Sequence, residues 1–77
     1  MSILREEYEH PTQPSRVRLR AYEQPRGDYL VTEERQGAST VVATLGVFGS
    51  LEAARASLRE RGARLEGQRY RRVEPAA

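Results

Sequence analysis

The sequence predicts a small α+β domain: an antiparallel meander of three to four strands with one helix packed on one face, in the order β-β-β-α-β. Three observations lead there. Residues 16–22 alternate polar and apolar side chains without a break, which is the period of a strand. Turn-forming clusters at 24–28 and 36–39 set off two further runs rich in Val, Thr and Leu, at 29–35 and 40–48. At Gly49-Ser50 the pattern changes to that of a helix.

The N-terminal residues 1–15 read as a separate arm, either a short docking helix or a frayed segment. Ile3, Leu4 and Tyr8 would form the apolar edge of such a helix, and Pro11 and Pro14 would stop it. These three residues are the candidate protein-docking side chains of the arm. The domain proper is expected over residues 16–73, with 74–77 as a tail.

In residues 16–22, Arg-Val-Arg-Leu-Arg-Ala-Tyr, strand geometry puts Val17, Leu19 and Ala21 toward a core. Arg16, Arg18, Arg20 and Tyr22 then share the other face. Gln24-Pro25-Arg26-Gly27-Asp28 is a turn, with Pro presetting φ and Gly easing the exit. Residues 29–35 supply the return strand, with Tyr29 and Val31 on one face and Leu30 opposite. Residues 40–48 form the third strand, with Val41, Ala43, Leu45 and Val47 expected on one face.

Ser50 is a good N-cap, and Glu52 suits the positive end of the helix dipole. The helix is expected from about Leu51 to Arg61, with Leu51, Ala54 and Leu58 as its apolar stripe and Gly62 as its stop. Leu65 lies one heptad past Leu58, so the alternative is a helix that runs through Gly62. Residues 68–73 can make a short final strand.

The strand–turn–helix from Thr44 to Gly62 carries a resemblance. Gly46-Val47-Phe48-Gly49-Ser50 followed by Ala53-Ala54 resembles the second half of SPOR modules, where a strand ending in Gly-x-Phe enters a helix with a buried Ala. It is also similar to the C-terminal part of WGR modules, in which a Tyr closes the unit; Tyr70 would be that residue. The resemblance covers about a third of the chain. Residues 16–35 read as a hairpin where SPOR has a β-α half, and the sequence holds no Trp-Gly-Arg tripeptide. What the resemblance implies is therefore local: a Gly exit, a Phe plug, a Ser cap and an Ala contact.

Composition narrows the function. The chain has 77 residues and no cysteine, so a single core must hold it without disulfides. Few large apolar side chains are available, and stability on the order of 3–5 kcal/mol is expected. A thin core favours self-association or a partner surface. One histidine and no thiol do not suit a metal staple. No apolar stretch approaches the roughly 20 residues of a membrane span, so no membrane partner is expected. Nothing at the N-terminus reads as a secretory signal, which makes the cytoplasm the default location.

All thirteen basic residues are Arg. A GC-rich coding bias of bacterial type accounts for that choice. The net charge is +2, but residues 59–72 hold six Arg against two Glu. Arg69, Tyr70, Arg71 and Arg72 form one basic cluster there, and Arg16, Arg18, Arg20 and Tyr22 form another. Arg interleaved with an aromatic can grip phosphates and stack a base. Cross-strand pairing with Glu33 or Glu34 would instead turn the first cluster into a salt-bridged sheet face.

Catalysis has little support. His10 is the only histidine, and it has no evident orienting partner. The Gly46–Ser50 turn lacks the Lys of a P-loop and the third Gly of a dinucleotide fingerprint, so capping explains it better than anion binding. No cofactor and no small-molecule ligand are expected. The sequence thus favours a non-enzymatic accessory or adaptor domain acting by protein contact or self-association. The alternative is a nucleic-acid-binding module that uses the Arg face and the basic C-terminus.

Overall fold

The computed structural model describes residues 2–73, and the tail expected at 74–77 lies outside them. It contains five strands, β1 (Ser2–Glu9), β2 (Arg16–Glu23), β3 (Tyr29–Gln36), β4 (Thr40–Phe48) and β5 (Arg71–Val73), with one helix, α1 (Leu51–Gly67), between β4 and β5. All pairings are antiparallel, and the strand order is β4-β3-β2-β1-β5. The α+β class, the meander and the single covering helix are as the sequence predicts; the strands number five rather than three to four.

The added strand is β1, which corrects the reading of residues 1–15 as a helix or frayed arm. Tyr8 pairs with Val17, Glu6 with Leu19 and Leu4 with Ala21, so these three side chains point toward the helix. Glu6 is what hides the alternation. A carboxylate stands at an inward position, held by the Tyr8 hydroxyl at 3.1 Å and by Arg72 at 3.7 Å. The Pro-rich residues form only the link to β2. There the His10 Nδ1 accepts the backbone N–H groups of Thr12 and Gln13.

The core lies between the sheet and α1. Tyr8, Val17, Leu19, Ala21 and Val31 from the strands meet Ala54, Leu58 and Leu65 from the helix. Leu4, Tyr29, Leu45, Phe48 and Tyr70 close its margins. Ser50 caps α1 by accepting the Ala53 N–H, as its residue type predicts. The helix does not stop at Gly62. It continues to Gly67 because Leu65 supplies one more buried turn, with only 1% of its surface exposed. Gly62 is instead a point of close approach: a Cβ there would fall on the Tyr8 hydroxyl. The helix ends when Arg69, at φ 73°, takes the left-handed position, with Arg69 N–H bonded to Glu66 and Tyr70 N–H to Leu65. The last strand is correspondingly shorter than the expected 68–73.

The pairing of β3 with β4 slips between Val31 and Thr32, where Leu45 is the extra residue. This bulge overturns the expectation that Val41, Ala43, Leu45 and Val47 share one face. Val41 and Ala43 lie opposite Arg35 and Glu33 on the helix side, whereas Val47 lies opposite Leu30 on the open side.

Candidate interaction surfaces

The open face of the sheet holds the first Arg cluster. Arg16, Arg18, Arg20 and Tyr22 do share that face, as their alternation predicts. They do not stand as a bare basic patch. Arg18 lies in a row between Glu7 of β1 and Glu34 of β3, with its Nε 2.9 Å from Glu7 and its Nη1 3.6 Å from Glu34. Arg16 reaches Glu9 at 3.6 Å. The expected pairing with Glu34 is present; Glu33 faces the other way. Arg20 bonds the Tyr22 hydroxyl at 3.1 Å, and this bond, aided by nearby carboxylates and against the cost of burial, holds its proton more firmly than usual.

The C-terminal cluster does not adjoin the first. β1 stands between β2 and β5, and its carboxylates separate the two. Arg71 joins the open face, 3.2 Å from Glu9, so that Glu9 lies between Arg71 and Arg16. Arg72 turns to the helix side beside Glu6. Tyr70 closes the core margin, with its hydroxyl 2.9 Å from Ser15 Oγ and its ring edge-on to His10. Arg69 is spent in the helix-ending turn.

The expected docking residues of the arm are likewise redistributed. Tyr8 is buried and Leu4 packs on the core, leaving only Ile3 exposed. Tyr8 and Leu4 therefore serve the fold.

On the helix side one carboxylate among the described residues, that of Glu33, is buried. Glu33 receives the Arg61 Nε at 2.7 Å and Nη2 at 3.1 Å, and the Arg35 Nε at 3.1 Å. Burial pushes its pKa up, but the hydrogen bonds and charges of Arg61 and Arg35 outweigh this and hold it below the ordinary value. The same contact raises the pKa of Arg61. The pair ties the middle of α1 to β3. Between α1 and β1 lies a shallow cleft of about 440 Å³ lined by Glu6, Tyr8, Arg55, Arg59, Glu66 and Arg72 among others. Its one buried hydroxyl, that of Tyr8, has its pKa pushed up to about 12 by burial and by the charge and hydrogen bond of Glu6. A group that keeps its proton so firmly is poorly matched to general-base work near neutrality.

The surface that sequence reasoning missed is the edge made by β4. Its nine residues, Thr-Val-Val-Ala-Thr-Leu-Gly-Val-Phe, include no charge. The five from Thr40 to Thr44 are exposed on both faces, with Val41 at 58% and Val42 at 61%. Among the described residues no strand pairs with its outer side. Natural edge strands usually carry charges, Pro or bulges that discourage pairing. This one has only the bulge at Leu45, beyond the exposed stretch. The signal in the sequence is the missing charge, which strand faces alone do not convert into a position at the edge.

Compared with protein-family models, curated proteins and solved structures, the chain finds no match.

Proposed function

We propose that this domain is a non-enzymatic accessory module that works by protein contact. The observation that carries the reading is the β4 edge. Its outer backbone N–H and C=O groups are open to extending the sheet, and β-branched residues without charge flank them. The Arg rows give less support to a nucleic-acid role. Glu7, Glu9 and Glu34 already occupy Arg16, Arg18 and Arg71, and a phosphate would have to displace them.

The test is affinity capture from native extract, with and without nuclease, using wild-type protein and the Val42→Lys variant as baits. The expected result is a protein that binds wild type, survives nuclease treatment and is lost with Val42→Lys. If all capture disappears on nuclease treatment, the Arg-face alternative takes over. If the same protein binds both baits equally, the β4 edge is not the contact.

A further inference from the structure

We propose that the occupant of the β4 edge is a second copy of this chain, paired antiparallel about a two-fold axis through Val42. The inference rests on the protein-contact reading and names its partner.

The segment Thr40-Val41-Val42-Ala43-Thr44 reads nearly the same in both directions. A two-fold axis through Val42 sets Thr40 against Thr44 of the second copy, Val41 against Ala43, and Val42 against itself. Every pair then joins residues of the same parity, so outward backbone groups meet outward groups and the ladder is continuous. Thr40, Val42 and Thr44 all lie on the open face, opposite Gln36, Glu34 and Thr32 of β3. The new row on that face is Thr–Thr, Val–Val, Thr–Thr, pairs that favour adjacent strands. On the helix side Val41 meets the small Ala43. No like charges are brought together, because the segment has none.

Sterics allow the same arrangement. The five residues are exposed on both faces, so the helix does not overhang them. A two-fold axis perpendicular to the sheet keeps both open faces on one side and both helices on the other. The contact is isologous and uses up the edge it forms on, so assembly closes at two copies. The bulge at Leu45 interrupts the strand after five residues. A contact this short should be weak, with dissociation in about the micromolar range or above.

The absence of cysteine gives a clean test. With Val42→Cys as the sole thiol, two copies would place Cα atoms about 4.5–5.5 Å apart, within disulfide reach. Val47→Cys, on the same strand, would stand roughly 30 Å from its counterpart in this register. Thr40→Cys and Thr44→Cys should cross-link when mixed and not singly, since like positions lie about 13 Å apart. Under mild oxidation Val42→Cys should form covalent dimer at least about tenfold faster than Val47→Cys. Wild-type amide resonances of residues 40–44 should shift with concentration, which checks the contact without any substitution. Equal cross-linking at 42 and 47, or wild-type protein that stays monomeric in sedimentation with unshifted resonances, overturns the second copy as occupant. If Val42→Lys nonetheless releases a captured protein, the protein-contact reading survives without it; if all capture is lost on nuclease treatment, both fall.

Discussion

β2 and β4 are both legible strands, and they are opposites in charge and place. β2 carries Arg at 16, 18 and 20 and lies at the centre of the sheet. β4 carries no charge and lies at the edge. Sheets more often put charge at the edge, where it deters pairing. Here the charge of β2 is answered from both sides, by Glu7 of β1 and Glu34 of β3. The neutrality of β4 is answered on one side only. A strand's composition thus says less about exposure than the composition of its neighbours does.

Truncating one side chain in each strand separates centre from edge most directly. Leu19→Ala, at a fully buried site, should cost about 3 kcal/mol. Val42→Ala should change monomer stability by less than about 0.5 kcal/mol. Urea denaturation at low protein concentration measures both, and similar costs would erase the distinction between centre and edge.

Glu33 sits in the row that runs from Leu19 of β2 to Ala43 of β4. Glu33→Gln should cost about 2 kcal/mol, less than for a fully buried pair because Arg61 is partly exposed. The pH dependence has a definite sign. The folded pKa is depressed, so the contribution is complete above the ordinary value of 4.5 and is lost as pH falls through the lower folded value. The variant should flatten the acid limb of a stability profile, and an unchanged limb would count against the bridge.

The helix meets β1 closely at Gly62, a contact without a counterpart over Thr40–Thr44. Gly62→Ala should destabilise by about 1–2 kcal/mol, although alanine favours a helix. In a Tyr8→Phe background the penalty should shrink, since the hydroxyl that obstructs the new methyl is gone. Strict additivity of the two changes would exclude the contact. Tyr8→Phe should also remove an alkaline loss of stability. The raised tyrosine pKa stabilises the fold fully below pH 10, and that gain fades as pH rises through about 12.

Among the charged residues the smallest losses are expected on the open face. Arg18→Gln should cost about 0.5–1 kcal/mol, with the loss reduced in high salt. Arg16→Gln should cost less, because Arg16 is largely exposed. A larger loss at Arg16 than at Arg18 would place the charge balance of β2 elsewhere.

Much of the fold is legible in the residues. The unbroken alternation of β2, the turn at 24–28 and the Ser50 cap each act through neighbours a few positions away. The features that escape depend on contacts made at long range. Glu6 stands inward because Tyr8 and Arg72 reach it, and that disguises β1 as a terminal arm. Gly62 looks like a helix stop because the tyrosine it makes room for lies 54 positions earlier. The bulge at Leu45 has one cue, the glycine beside it at 46, but that glycine reads equally as the exit toward the helix, so period-two counting assigns the faces of β4 as if the strand were regular. Arg16, Arg18 and Arg20 share a face as expected, but how they are paired depends on β1, whose strand character its own residues conceal.

The placement of β5 beside β1 has a consequence for the order in which the molecule assembles. The meander from β1 to β4 grows by successive hairpins, each closed over a short turn. The contact of Arg71 with Glu9 instead closes a loop between residues 62 positions apart. Loop entropy makes that closure cost about 2 kcal/mol more than a hairpin of a few residues. The outer side of β1 should therefore be the last part of the sheet to be covered and, on partial unfolding, the first to be bared.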